Sequence, residues 1–326
     1  MVVRRSRGSR LIGYHASHEQ LGPDRLLESV VLAERAGFDA AMCSDHFYPW
    51  SDAQGESAFA WSWLGAAMQA TSLPFGVVCA PGQRYHPAII AQASATLAVM
   101  FPDRFWLAVG SGQALNEHIT GERWPSKPER NARLRECADI IRALWAGDTV
   151  DHRGHVTVED ARLYTRPQNP PLLVGAAVTP ATAAWAAEWA DALITVSQPA
   201  EVLDEVIDAF RSSGGADKPA FLQVHLAYAP TDDEARQVAF AQWRQNVLDN
   251  AVMTELRNPH QISRAALAVR PDDVDQAVRI SADPARHVDW LERDLERFDA
   301  VYLHEVGPDQ RRFIEAFGRE VLPALR

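Results

Sequence analysis

Ala40-Ala41-Met42-Cys43 is a short apolar run, and Ser44-Asp45-His46-Phe47-Tyr48-Pro49-Trp50 follows it directly. The apolar run predicts a buried strand, and the polar residues after it predict a loop at the strand's carboxyl end. The loop carries an imidazole and an indole four residues apart, so one side chain can move a proton and the other can wall a flat cofactor. Asp45 is adjacent, and a nearby carboxylate favours the charged form of an imidazole. The alternative is a capped turn in which Trp50 only packs.

The same unit, an apolar run followed by an amphipathic helical stretch, recurs along the chain. The eight apolar runs are residues 11–14, 40–43, 75–80, 105–110, 172–175, 192–196, 220–228 and 300–304. The helical stretches are 24–35, 61–71, 87–100, 129–145, 182–190, 200–211, 232–255 and 285–298, and an insertion at 150–163 is typical of a hairpin. Near-continuous apolar strands alternating with helices predict an α/β fold, a single (β/α)8 TIM barrel with insertions. A doubly wound open sheet is the alternative, but it favours a glycine-rich fingerprint that residues 13–18 lack.

Composition limits the classes of function. Hydrophobic residues make up 47% and charged residues 23%, which is typical of a globular enzyme, and the net charge of −11 disfavours a nucleic-acid partner. No apolar run approaches the roughly 20 residues that span a bilayer. Residues 1–10 are basic without the apolar core of a secretion signal, so we expect a disordered lead-in there and one domain over 11–326. Three widely separated cysteines predict a reducing, cytoplasmic location.

Polar residues concentrate where the predicted strands end, which is where barrels carry their chemistry. His15, His18 and Glu19 follow the first strand, but two histidines three apart in a loop are weak evidence for a metal, and we expect none. A glycosidase would need two carboxylates across a cleft, and nothing fixes the separation of Glu19 and Glu117. The small residues at 110–112 and 175–177 allow backbone N–H groups to approach an anion.

Five motifs in order carry a resemblance to a known family. They are residues 13–20, 44–50, 84–93, 110–117 and 309–313. Together they resemble the bacterial luciferase-like superfamily, and most closely the coenzyme F420-dependent glucose-6-phosphate dehydrogenase group and its FMN-dependent relatives. The resemblance implies a barrel that binds F420, or alternatively FMN, across its strand ends, and a homodimer acting on a small alcohol or carbonyl compound.

The resemblance also implies roles for individual residues. It assigns His46 as the acid/base, Trp50 as the indole lining the reacting centre, Glu19 as a carboxylate at the same site, and Gln113 at the position of an acid directed at the ring. The implied cofactor-binding residues are Asp45, Val77, Val78, Gly110, Ser111, Gly112, Gln113, Asn116, Gly175, Ala176 and Ala177. It further implies a non-proline cis peptide near Val77 and Val78.

Two departures from the family pattern affect the expected substrate. The family has a glutamate where this chain has Gln113, and an amide cannot deliver a proton. A substrate-phosphate lysine is expected after the sixth strand, where residues 197–199 read Ser-Gln-Pro, so a sugar phosphate would depend on arginines. The candidates are Arg257, Arg264, Arg279 and Arg286.

We therefore expect hydride transfer between the cofactor ring and an uncharged secondary alcohol, hemiacetal or carbonyl compound, with His46 moving the proton. An FMN-dependent monooxygenase and a non-catalytic flavin-binding barrel are the alternatives.

Overall fold

Eight parallel strands close into a barrel in this computed structural model, which describes residues 10–326. The strands are β1 (Leu11–Ala16), β2 (Ala40–Ser44), β3 (Phe75–Cys79), β4 (Phe105–Val109), β5 (Leu172–Ala176), β6 (Ala192–Val196), β7 (Ala220–Ala227) and β8 (Ala300–Glu305). Each strand pairs with the next, and β8 pairs with β1, which closes the barrel. The predicted (β/α)8 fold is confirmed and the open-sheet alternative is wrong. All but one residue of the predicted lead-in lie outside the described part of the chain.

Helices surround the barrel and begin and end on local signals. Their bounds are Pro23–Ala36, Ala60–Ala70, Pro87–Met100, Lys127–Ala146, Pro180–Ala187, Ala200–Phe210, Pro284–Leu295 and Gln310–Ala316. Five of these helices have proline in the first turn, where its fixed φ fits and its missing N–H is not needed. Gly37 and Gly147 end two helices in the left-handed conformation. Among the described residues, no helix is both long enough and apolar enough to cross a membrane.

The barrel interior is a packed core of inward-facing side chains. Trp106 occupies its centre, donating from Nε1 to the Tyr302 hydroxyl at 3.1 Å. A Cβ at Gly76 would lie 2.0 Å from the Trp106 ring, so glycine is required at that position. The lower barrel is therefore filled, and only the carboxyl ends of the strands are left for a site.

The segment between β7 and β8 differs most from the prediction. The predicted helix 232–255 is wrong beyond Trp243: a 3₁₀ turn Arg244–Val247 follows, and a new helix Asn250–Met253 begins. The break occurs because Leu248 is extended and Asp249 caps the new helix by accepting from the Ala251 N–H at 2.7 Å. A further helix Pro259–Ala265 and a short strand Arg279–Ile280 complete this segment. The predicted hairpin is confirmed as the antiparallel pair Val150–Arg153 and Thr157–Ala161.

Candidate active site

His46 and Glu19 form the centre of the candidate site. They follow β2 and β1, which are neighbours in the barrel, and His46 Nδ1 lies 2.8 Å from Glu19 Oε1. Glu19 also accepts a hydrogen bond from the Ser17 hydroxyl at 2.8 Å. Burial would raise the pKa of Glu19, but His46, His15 and Ser17 outweigh burial and lower that pKa to about 2. Glu19 is therefore an anion at neutral pH, and its position favours the tautomer with the proton on Nδ1, leaving the Nε2 lone pair for a substrate.

Trp50 stands against the imidazole from the same loop. Its ring lies edge-on to His46 with 4.9 Å between centroids. Its backbone N–H donates to Gln54 Oε1 at 2.9 Å, and its side chain packs against the apolar cluster of the β7–β8 segment. The indole thus forms a wall between the imidazole and that segment.

Asp45 does not orient His46. Its side chain is fully buried and faces Arg84, with Arg84 Nη2 3.3 Å from Asp45 Oδ2. Burial raises the pKa of Asp45, and Arg84 opposes that rise. The carboxylate beside the imidazole is Glu19, because the backbone turns the side chains of residues 45 and 46 in different directions. A cofactor contact for Asp45 stays a prediction.

The inner face of the mouth between β3 and β5 carries small side chains. Val78 and Ala176 pack on the inner cluster, and a Cβ at Gly110 would meet only Ala176, at 3.6 Å. These three residues form a shallow cradle, and a flat tricyclic ring fits a surface without bulky groups. The shape of this surface therefore suits the flat ring of F420 or FMN.

Other predicted cofactor residues face away from this cradle. The Val77 and Ala177 side chains lie in the layer between barrel and helices. A Cβ at Gly175 would lie 2.8 Å from Ala186 Cβ, so the absence of a side chain there serves helix packing. Their backbones can still contact a cofactor, which stays a prediction. The implied cis peptide is wrong for the described residues, all of which are joined by trans bonds; β3 pairs on both sides in continuous register with extended backbone.

The loop after β4 completes the rim. Gly112 has φ +79°, which favours glycine, and the Ser111 hydroxyl accepts from Lys127 Nζ at 2.7 Å. Asn116 Oδ1 accepts from the N–H groups of Phe47 and Tyr48 at 2.8 and 3.3 Å, so this loop holds the His46 loop. Gln113 is half-buried, and its Oε1 lies 3.5 Å from Asn116 Nδ2.

A row of three imidazoles, His15, His304 and His225, lines the opposite side of the mouth. They lie on the adjacent strands β1, β8 and β7, where His304 and His225 are register partners. The rings of His15 and His304 stack at 4.3 Å, and those of His304 and His225 meet at 5.2 Å. Burial lowers the pKa of His15 to about 4 and that of His225 to about 3, and that of His304 also falls well below its usual value. The histidine row is therefore uncharged at neutral pH.

Amide side chains connect the histidine row. Gln20 donates from Nε2 to the Val306 carbonyl, so its Oε1 accepts from His304 Nε2 at 2.7 Å. Gln223 Nε2 lies 3.3 Å from His304 Nδ1 and 3.2 Å from His225 Nε2, and can donate to both. Among residues 10–326, His15 Nδ1 has no hydrogen-bond partner.

Within residues 10–326, no group of three or more His, Cys, Asp or Glu side chains is arranged to hold a metal. His18, considered above as a ligand, lies edge-on to Trp63 at 4.9 Å.

Comparison with known proteins identifies the family of this chain. A family model described as luciferase-like monooxygenase matches residues 11–299. The chain belongs to that family.

Two curated proteins and one solved structure are similar over nearly the whole chain. The F420-dependent glucose-6-phosphate dehydrogenase of Microbacterium testaceum (strain StLB037) is 37% identical over 335 residues, covering 96% of this chain and 97% of the relative. The protein of the same name from Beutenbergia cavernae is 36% identical, covering 97% of each. An F420-dependent secondary alcohol dehydrogenase, solved in complex with an F420-acetone adduct, superposes with a TM-score of 0.90 at 31% identity, covering 98% of this chain and 99% of that one. The predicted family and oxidoreductase class are confirmed.

Sequence reasoning missed part of this site. His225 and His304 lie inside apolar strands and drew no role, although both occupy inward-facing positions near the strands' carboxyl ends. Alternation within a strand identifies such positions, but only the register of three strands brings the rings together. Arg84 begins the motif 84–93, but the sequence predicted no role for it.

Proposed function

We propose that this protein is an F420-dependent dehydrogenase that interconverts an uncharged secondary alcohol or hemiacetal and the corresponding carbonyl compound. The names of its relatives and the cradle of Val78, Gly110 and Ala176 support F420 as the cofactor. When bound, F420 supplies a ring carbon that accepts or returns a hydride. The observation that carries the proposal is the 2.8 Å contact between partly exposed His46 and buried Glu19, beside Trp50 at the mouth.

His46 has the geometry of a general base. The Glu19 carboxylate contacts Nδ1 of His46, so Nε2 faces away from the carboxylate and can take the proton from a substrate hydroxyl. The imidazolium that forms is stabilised by the Glu19 anion, and in the reverse direction it returns the proton to the carbonyl oxygen. Trp50 and the β7–β8 segment exclude water from one side of the imidazole.

The surroundings of the site favour an uncharged substrate over a sugar phosphate. Arg279 is already paired with Asp294, and the Arg286 guanidinium lies 5.0 Å above the Trp290 ring. The other two candidate arginines, Arg257 and Arg264, are solvent-exposed. A phosphate dianion buried without paired cations is strongly disfavoured, whereas neutral imidazoles and amides hydrogen-bond a hydroxyl compound well.

The position of the expected lysine is occupied by uncharged groups. The Ser197 hydroxyl accepts from the His225 N–H at 3.1 Å, and Gln198 Nε2 donates to the Val178 carbonyl at 3.2 Å. The Ser197 side chain holds the backbone of β7, and the Gln198 side chain holds the loop after β5. Both are uncharged, so neither supplies charge to a ligand.

Glucose and glucose 6-phosphate provide a matched test because they differ only in the phosphate. We expect F420 reduction with 2-propanol or cyclohexanol, and a kcat/KM for glucose 6-phosphate no higher than that for glucose. Ser197→Lys should raise kcat/KM for the phosphate relative to glucose by about tenfold or more, since a charge-assisted contact contributes over 1 kcal/mol. A large preference of the parent for glucose 6-phosphate would overturn the substrate assignment. Binding of FMN with substrate-dependent oxygen consumption, and no turnover with F420, would replace the dehydrogenase by the monooxygenase alternative.

A homodimer and a cytoplasmic location stay predictions from the resemblance and the cysteine pattern.

A further inference from the structure

Arg84, in the loop after β3, contacts both loops that flank it in the barrel. Its side chain is only 7% exposed. Arg84 Nη2 donates to the Asp45 carbonyl at 2.8 Å and lies 3.3 Å from Asp45 Oδ2. Toward β4, the Arg84 backbone N–H donates to Glu117 Oε2 at 2.8 Å, and Nε lies 3.5 Å from Glu117 Oε1. One guanidinium thus links the loops after β2, β3 and β4.

The bond to the Asp45 carbonyl matters because that carbonyl belongs to the peptide unit preceding His46. On the other side, Asn116 accepts from the N–H groups of Phe47 and Tyr48, and Asn116 is adjacent to Glu117. The backbone of His46 is therefore held on both sides by groups that Arg84 ties together. The Glu19 contact fixes the imidazole ring, but it does not fix where the ring's backbone sits.

Stability alone does not explain this arrangement. Asp45 and Glu117 are both buried carboxylates that share one guanidinium, and burial raises the pKa of each. Replacing buried charges of this kind by apolar groups is often neutral or stabilising. The planar guanidinium, however, supplies several donors in a fixed geometry, and a lysine ammonium cannot reproduce this.

We propose that Arg84 is a positioning residue that sets the distance between His46 and the reacting hydroxyl by fixing the peptide unit before His46. The effect of Arg84 on catalysis rests on the role of His46 in the proposed function, whereas its effect on the placement of the imidazole does not. Together with the Asn116 bonds to Phe47 and Tyr48, Arg84 lets the β3 and β4 loops determine the geometry at the end of β2.

Arg104 provides a matched control at the opposite end of the barrel. It also binds backbone carbonyls, donating to those of Met68, Thr71 and Leu73 at 2.7–3.1 Å. Arg84→Lys and Arg104→Lys therefore remove the same kind of contact, near the site in one case and far from it in the other. Neither substitution alters Val78, Gly110 or Ala176, the residues of the cofactor cradle.

The experiment measures kcat, KM, F420 affinity by quenching of tryptophan fluorescence, and the free energy of unfolding for both variants. Arg84→Lys should lower kcat by about 100-fold, because a displacement of about 1 Å has that effect on a positioned group. F420 affinity should stay within about threefold, and the primary deuterium isotope effect on kcat should rise toward its intrinsic value. Arg104→Lys should lower stability while kcat is unchanged. Equal kcat losses in the two variants, or an Arg84→Lys protein of lower stability and normal kcat, would overturn the proposal.

A second measurement needs no turnover. In histidine-labelled, cofactor-free protein, the imidazole resonances of His46 can be assigned with His46→Asn. They should shift and broaden in Arg84→Lys and stay unchanged in Arg104→Lys. If the parent has no dehydrogenase activity, the proposed function fails, but these resonances still test the positioning role. If Arg84→Lys does not fold, Glu117→Gln weakens the same link, and unchanged resonances together with unchanged kcat in that variant would refute the inference.

Discussion

Acidification from pH 7 to pH 5 is expected to destabilise this protein through its buried imidazoles. His15, His18 and His225 are buried, and burial lowers their pKa values from 6.5 to about 4, 4 and 3. In the unfolded chain these groups bind protons as the pH falls below 6.5, whereas in the folded protein they stay neutral until much lower pH. The unfolded state then binds more protons, so the free energy of unfolding decreases as the pH falls through this window.

The size of the effect follows from these shifts. One pKa unit corresponds to about 1.4 kcal/mol, so each of the three imidazoles lowers the free energy of unfolding by about 2 kcal/mol at pH 5. Glu305 acts in the opposite direction, because burial raises its pKa to about 8 and its protonation stabilises the fold as the pH falls toward 4.5. The change in the free energy of unfolding between pH 7 and pH 5 can be compared between the parent and a variant that lacks one imidazole. The difference between the two changes is the contribution of that imidazole alone.

Urea unfolding of the parent and His225→Gln at pH 7 and pH 5 makes this comparison. Glutamine keeps an acceptor for Gln223 and removes the titration, so the parent should lose about 2 kcal/mol more than the variant between the two pH values. His260→Gln, at an exposed histidine, is the control and should follow the parent. If His225→Gln loses as much stability as the parent, the imidazole is already charged in the folded protein and the uncharged histidine row is wrong.

Four further changes test individual residues of the site. Glu19→Gln should lower kcat by about tenfold or more with little change in F420 affinity, since it removes the anion that stabilises the His46 imidazolium; unchanged kcat would contradict that role. Gln113→Glu should raise turnover and add a pH dependence between pH 5 and 9 if proton delivery toward the ring limits the rate, and an unaltered rate and profile would exclude this. Gly175→Ala should lower the free energy of unfolding by about 1–3 kcal/mol by overpacking the helix contact, as urea titration measures. Gly110→Ala should leave stability unchanged and weaken F420 binding in a fluorescence titration. Lower stability with unchanged F420 binding would contradict the placement of Gly110 in the cofactor cradle.

The barrel was predictable because its strands are short apolar runs between helices with clear start and stop residues. Strand bounds agree with the structure to within about two residues, and the helix at Pro87–Met100 agrees at both ends. The β7–β8 segment was not predictable in the same way. Its helices are only four to twelve residues long, and the break at Leu248 and Asp249 depends on one cap rather than on hydrophobic period.

The candidate site was predictable as a set of residues but not as a set of contacts. The rule that chemistry lies at strand ends brought Glu19, His46 and Trp50 together, and the structure places them together. It did not decide which carboxylate faces the imidazole, because Asp45 is adjacent in sequence while Glu19 is adjacent in space. The guanidinium of Arg84 decides it by holding Asp45 on the other side of the loop.

Transient kinetics of His46→Ala test the central claim most directly. With F420 and a neutral secondary alcohol bound, the parent should reduce the cofactor in a single turnover. The rate of this reduction should be lower by about 100-fold or more in His46→Ala. F420 affinity and the free energy of unfolding should change little, because His46 is partly exposed and lies in a loop outside the packed core. A folded His46→Ala protein that binds F420 and reduces it at the parent rate would contradict the assignment of His46 as the base.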